Sequence, residues 1–401
     1  MSAQCEVAIV GAGPYGLSIA AHLSELNMDF RIYGGAMRTW MQSMPPGMLL
    51  KSDGFASNLY DPHGRLTLEA YCAEQGLPFA PVGLPVPVET FAAYGQAFQR
   101  RFAPDLEDKM VTSVTPAAQG FELRFDDNSS LRAGQVVIAS GIRDFGHTPA
   151  PLAQLPAAIV SHSSHYGDLS ALSGREVVVV GAGASAIDIA VLLLDKSASV
   201  TVVTRAPVIR FHGPPRTRTL RERVVNPMTG LGPGWKSYAV ANAPLAFRVL
   251  PEPFRLKVVR RHLGPAPGWF MRDQVEGRVP CLTDTRIEQA SVEDGKGRLV
   301  LARGDGSHQT VTADHVIAAT GYRVDLERLA FLGPDLRGRI RLTGRSPALS
   351  SRFESSVPGL YFAGAAAADC FGPLLRFAYG AGFAAGRLAP QLKSRAARAR
   401  A

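Results

Sequence analysis

The feature that most constrains this chain is a pair of glycine-rich turns, each set between a short apolar run and a helical pattern. Residues 6–10 (Glu-Val-Ala-Ile-Val) suit a buried parallel strand and lead directly into Gly11-Ala12-Gly13-Pro14-Tyr15-Gly16. A helix pattern over 17–26 and a strand over 29–33 complete one βαβ unit. The arrangement recurs with a strand at 176–180, the turn Gly181-Ala182-Gly183-Ala184-Ser185-Ala186, a helix at 187–194 and a strand at 199–204. One such motif is weak, but two in the right context predict two dinucleotide sites. Gly11 and Gly181 would allow the strand-to-helix turn, Gly13 and Gly183 the approach of a pyrophosphate. Gly16, or Ala186, would allow close helix–strand packing. Each helix N-terminus then offers free N–H groups and partial positive charge to the phosphates.

The residue after the second strand of each unit separates the two cofactors. In the second unit it is Arg205, which suits a 2′-phosphate and so favours NADPH over NADH. In the first unit Tyr33 is followed by Gly34 and Gly35, without the acidic residue that usually holds a ribose.

The remaining features narrow the class. At 401 residues, 46% hydrophobic and 19% charged, the chain has room for two globular domains. No apolar run reaches the ~18 residues of a membrane span. No basic and apolar leader precedes the first strand, so the default expectation is a cytoplasmic protein. Cys5, Cys72, Cys281 and Cys370 form no CxxC pair, which argues against a disulfide scaffold, a metal site or a dithiol centre. The net charge of +9 is concentrated at 205–261 and in the tail at 393–400. No nucleic-acid signature accompanies it, and a field attracting anionic dinucleotides and an acidic substrate accounts for it. The tail is expected to be frayed and solvated.

The segment at about 210–280 is too long for a simple loop and carries Trp235, Tyr238, Trp269 and helix-like stretches at 239–250 and 254–263. A lid, a dimer contact and a peripheral membrane face are all open to it. A further helix is expected to open at Gly372-Pro373 and run to about residue 388, with Pro373 at its first position.

The two glycine turns, taken with Ala319-Thr320-Gly321-Tyr322, resemble the flavin-containing monooxygenases and their N-hydroxylating relatives. The resemblance covers most of the chain except about 210–280. It implies an α/β fold with two Rossmann-like domains, an NADPH domain inserted into a discontinuous FAD domain. The expected boundaries are 1–141, 142–319 and 320–401, with Ser140-Gly141 and Thr320-Gly321 at the crossings. Gly34, Gly35 and Trp40 resemble a segment beside the flavin, and Ser57-Asn58-Leu59 the segment whose Asn amide lies between flavin and nicotinamide. His162-Ser163-Ser164-His165-Tyr166 matches the end of the monooxygenase fingerprint, although Pro156 and Ala158 replace its Phe and Gly; a polar linker is the alternative. Gly364 is followed by Ala365 where many such proteins carry an acid, and the helix at Gly372-Pro373 would aim its N-terminus at the flavin.

The resemblance implies NADPH reducing FAD, a flavin C4a-hydroperoxide, and oxygen transfer from O₂ to an amine nitrogen or a sulfur of a small molecule. Asn58 would be the organising residue, and no metal would be involved. The alternatives are an NADPH:acceptor flavin reductase of the thioredoxin-reductase-like group, and a nucleotide-sensing protein without activity.

Overall fold

The computed structural model describes residues 3–216, 218–262, 264 and 266–400. The first sheet contains β1 (Ala3–Val10), β2 (Phe30–Tyr33), β3 (Val111–Pro116), β4 (Phe121–Phe125) and β5 (Ser130–Ile138), in the spatial order β2-β1-β5-β4-β3. Parallel neighbours flank β1 on both edges, Val7 facing Phe30 on one side and Gln135 on the other. Layers above and below leave Val7, Ala8 and Ile9 fully buried, which explains the unbroken apolar run in place of alternation. The outer edge of β5 is shared. Its first half pairs antiparallel with β4, and Val136–Ile138 pair parallel with the late strand Leu360–Phe362.

The second sheet is parallel throughout. It contains β6 (Val160–His162), β7 (Glu176–Val180) and β8 (Ser199–Val203), in the order Cys281–Leu282, β8, β7, His315–Ala318, β6. A three-stranded antiparallel sheet, Thr285–Glu293, Lys296–Arg303 and His308–Ala313, packs beside it through Leu299 and Leu301. The whole second sheet therefore lies in sequence between β5 and Leu360–Phe362 of the first. The fold is α/β with two Rossmann-like units, the second inserted into the first.

Two connections join the units, and they pair with each other. The His147 N–H donates to the Gly321 carbonyl (2.9 Å) and the Arg323 N–H to the Phe145 carbonyl (2.7 Å), an antiparallel ribbon around Gly146 and Tyr322. Thr320 adds a hydroxyl bond to the His147 carbonyl.

Three helical expectations differ from what is found. The stretch at 239–250 is two helices, Trp235–Asn242 and Pro244–Arg248, because Pro244 has no N–H to continue the first and instead opens the second. The next helix is Glu252–Arg261; its expected end, Leu263, lies outside the described residues. At the C-terminus, Gly372-Pro373 opens only a single 3₁₀ turn, Pro373–Arg376, and the long helix begins at Ala381 and runs to Arg400. So short a turn has almost no macrodipole to aim at a flavin. The tail is likewise helical and not frayed. Ala384, Leu388, Leu392 and Ala396 recur at helical spacing on its buried face against Pro14–Glu25, and Arg395 bonds Glu354 at 3.2 Å.

Candidate functional site

The two glycine turns are built alike, down to their neighbours. The Gly11 N–H donates to the Tyr33 carbonyl at the end of β2, and the Gly181 N–H to the Val203 carbonyl at the end of β8, both at 2.9 Å. Gly11 has φ +110° and Gly181 φ +148°, a region that side chains disfavour. A Cβ on either would stand 2.4 Å from a carbonyl oxygen, Ala139 O in one unit and Ala319 O in the other. At Gly16 a Cβ would meet the Gly11 carbonyl at 1.8 Å, so this helix packs closer than a methyl group allows. The second unit accepts Ala186 at the matching place.

Gly13 differs from both: nothing lies within 4 Å of where its Cβ would be. It caps Pro14–Glu25, as Gly183 caps Ala184–Leu194, both in extended conformation. Neither cap makes a side-chain bond, and neither helix has an acid in its first turn. The orphan N–H groups and the positive end of each dipole are thus left for an external anion, the first over open space. Ala184 and Ser185 occupy the first turn of the second helix, where their N–H groups belong to this set. These residues fit a dinucleotide diphosphate at each turn.

The corresponding register places Arg205 two residues beyond Val203, at the lip of the second turn, with its side chain exposed. Burial lowers the pKa of His147 in the connecting ribbon, and the charges of Arg323, Arg328 and, least, Arg205 add to it. Gly35 holds the equivalent place after Tyr33. Gly34 donates its N–H to the Glu107 carbonyl at 3.0 Å, and Met37 to the Ala12 carbonyl at 2.9 Å, which folds the 34–40 segment onto the first turn. Trp40 stands edge-on to Phe91, ring centroids 4.7 Å apart.

Late residues converge on the same turn. The Tyr15 hydroxyl donates to the Phe377 carbonyl (2.8 Å), and its ring lies 3.3 Å from the Cβ position of Gly364. Phe247 packs against Gly372 and Tyr379 against Gly230, so the inserted segment covers the stretch that includes Gly372 and Pro373. Asn58 is committed locally. Its Nδ2 donates to the Phe55 carbonyl (3.0 Å) and its Oδ1 accepts from the Leu68 N–H (2.8 Å), leaving one amide N–H without a protein acceptor among the described residues.

The His-Ser-Ser-His-Tyr segment stands at the crossing. The Ser164 N–H donates to His162 Nδ1 (3.1 Å), so the ring proton sits on Nε2 and donates to the Gly321 carbonyl (3.0 Å). Burial holds this imidazole neutral, its pKa down to about 4 from an ordinary 6.5. The unfolded ring takes a proton that the folded ring refuses, so stability is complete above pH ~6.5 and falls as pH drops toward 4. The loss is about 3 kcal/mol. Denaturant melts of His162→Gln should lack this acid slope, while the parent shows it. Tyr166 is anchored separately, its hydroxyl 2.8 Å from His315 Nε2.

One pairing was not anticipated from sequence. Lys51 Nζ lies 2.7 Å from Asp188 Oδ1, joining the loop after Trp40 to the helix of the second glycine turn. The carboxylate is buried, which raises its pKa, while Lys51 acts to lower it. A lone Asp in the run Ile187-Asp188-Ile189-Ala190-Val191 was the available signal.

Comparison with known proteins agrees with this geometry. The ferredoxin–NADP reductase of Acidiphilium cryptum is 31% identical over 240 residues, 54% of this chain and 69% of that protein. The indole-3-pyruvate monooxygenase YUCCA1 of Oryza sativa is 26% identical over 79% of this chain and 76% of its own length. In fold, the chain is similar to the ornithine N-hydroxylase KtzI of Kutzneria sp. 744, solved with reduced FAD, NADP⁺ and L-ornithine. The TM-score is 0.73 at 17% identity, covering 98% of this chain and 99% of that one. The family model for pyridine nucleotide-disulphide oxidoreductases matches residues 8–231, more than half the chain and the whole of both glycine turns. The chain belongs to the pyridine nucleotide-disulphide oxidoreductase family.

Proposed function

We propose that this chain is an FAD- and NADPH-dependent monooxygenase that oxygenates a soft nucleophile, an amine nitrogen or a thioether sulfur, of a small molecule. The supporting observation is the pair of uncapped helix N-termini, with open space at Gly13 and a cation, Arg205, only at the second. FAD is assigned to the first unit (1–141 and 320–401) and NADPH to the second (142–319). When bound, the flavin supplies hydride acceptance and oxygen activation. The protein's part is to bind, orient and keep water away. The Gly13 and Gly183 caps receive the diphosphates, and Gly35, Trp40, Gly364, Gly372 and Pro373 line the approaches to the first turn. The ribbon of Thr320 and Gly321 fixes one unit against the other. Asn58 would turn its remaining N–H to the reacting centre. The inserted segment, through Phe247 and the 228–233 hairpin, roofs the 372–380 stretch and would shield it.

The YUCCA1 relative and the N-hydroxylase fold support this reading. All four cysteines are free and none forms a CxxC, so the disulphide chemistry in the family's name has no dithiol to act through here. The ferredoxin–NADP reductase match favours a second reading, electron transfer from NADPH to an external acceptor. The two separate on stoichiometry. A panel of amines and thioethers should yield one oxygenated product per NADPH, with little peroxide. Turnover with ferredoxin or an artificial acceptor alone would replace the proposal with the reductase.

Arg205 supplies a second test. Loss of one charge-assisted phosphate contact is worth ~1.5–3 kcal/mol, so Arg205→Ser should lower kcat/KM for NADPH by about tenfold to a hundredfold. The value for NADH should stay unchanged in steady-state kinetics, reducing the preference between the two.

A further inference from the structure

Between residues 205 and 261 the chain carries twelve Lys and Arg against two acids, a net of +10, so this one segment accounts for the whole molecule's +9. Of its short helices, Pro244–Arg248 and Glu252–Arg261 are anchored through buried Phe247, Arg255 and Val259, whereas Trp235–Asn242 buries only Ser237 and Leu220–Val225 buries no residue. Away from those anchors the helices present large apolar side chains to solvent. Leu220 is 80% exposed, Trp235 58%, Val249 77% and Phe254 50%. Exposed cations share these helices: Arg221 and Arg223 on the first, Lys236 beside Trp235, and Lys257, Arg260 and Arg261 on the last. None of these six is in an ion pair among the described residues, whereas Arg216 nearby is held by Glu222 at 2.9 Å.

Apolar side chains at such exposure are normal singly, but a run of them interleaved with unpaired cations needs an explanation. We propose that this face docks the protein on an anionic lipid bilayer. The charge matches acidic headgroups, and Trp235 and Phe254 are the residue types that settle at the headgroup–acyl boundary. A second copy of the chain fits poorly, because a symmetric contact would set these six unpaired cations against their own copies. A folded acidic protein would need pockets shaped to side chains that project from separate short helices; a fluid interface imposes no such match. No helix among the described residues is long and apolar enough to cross a membrane, so the docking is peripheral.

The test uses the full-length, flavin-loaded protein and sedimented vesicles of phosphatidylcholine alone or with 30 mole per cent (roughly a third) phosphatidylglycerol, an anionic fraction of physiological order. The bound fraction at ~0.1 M salt, where the screening length is about 10 Å, should be at least tenfold higher on the anionic vesicles and fall severalfold at ~0.5 M. Trp235→Ser with Phe254→Ser should cut anionic-vesicle binding about tenfold while flavin content and NADPH oxidation in buffer remain those of the parent. Brominated lipid should quench the tryptophan fluorescence of the parent, and quench that of Trp235→Phe less. Equal weak binding to both vesicles overturns the proposal. So does binding that salt abolishes but the apolar double variant leaves intact, which assigns the face to a soluble acidic partner. Concentration-dependent dimerisation that hides Trp235 from quenching overturns it too, in favour of self-association.

Discussion

Gly13→Val is expected to empty the protein of flavin while leaving the apo fold intact. The Gly13 backbone, φ −87° and ψ −170°, is extended and open to any residue, and nothing in the chain lies within 4 Å of the new Cβ. Apo stability should therefore stay within about 0.5 kcal/mol of the parent, as for substitutions that touch no packed neighbour. The space that valine fills is the approach to the uncapped N–H groups of Pro14–Glu25, where a diphosphate would lie. Flavin content after purification and reconstitution should fall at least tenfold, read from absorbance per mole of protein. The melts must compare apo forms, because a cofactor bound only to the folded state adds its own stability. Gly16→Val is the control of opposite sense: its Cβ would overlap the Gly11 carbonyl, and the fold itself should be lost. Flavin retained in Gly13→Val at the parental level would contradict the assignment of this turn.

The second large effect is expected at Lys51. Asp188 is buried to 4% exposure, with Lys51 as its neutralising partner at 2.7 Å. Removing the cation leaves a carboxylate without compensation in a helix packed on all sides, and breaking a buried pair in this way costs ~3–5 kcal/mol. Lys51→Met should therefore lower stability by about 3 kcal/mol at neutral pH, read from denaturant melts. Adding Asp188→Leu should recover most of it, because two apolar groups replace the pair. The deficit should also shrink as the pH falls. A carboxyl whose folded pKa is raised gains stability relative to the unfolded chain once it is protonated, and burial raises that of Asp188. A Lys51→Met deficit independent of pH would point to lost packing against Phe270, whose ring lies 4.9 Å from Nζ, and away from the charge.

These two positions also show what could be read before the structure. The strands and glycine turns were legible because their signals are local: an apolar run of strand length, glycine at three fixed places, then a helical pattern. The position of Arg205 just beyond β8 followed from the same local logic, since the end of β8 is held at Gly181 by one backbone bond. Lys51 was not legible, because its partner lies in another unit and nothing near Met48 to Asp53 marks it. The C-terminal segment misled for the opposite reason. Gly372-Pro373 is a sound local start signal, but Phe377 turns extended after a single 3₁₀ turn, its carbonyl taken by the Tyr15 hydroxyl, and the helix waits until Ala381. In the tail, the alanine- and arginine-rich composition concealed the regular buried stripe at Ala384, Leu388, Leu392 and Ala396, which tertiary packing rewards.

The shared outer edge of β5 sets a timetable for synthesis. Val136–Ile138 gain their last neighbour only when Leu360–Phe362 leave the ribosome, whereas the parallel sheet that includes β7 has all its strands once Ala318 has emerged. At typical elongation rates the nascent first half waits on the order of ten seconds or more with an unpaired, strongly apolar strand edge. The inserted unit thus has the means to mature first, and the enclosing one to close around it afterwards. Chaperone capture during translation should accordingly fall on the amino-terminal third.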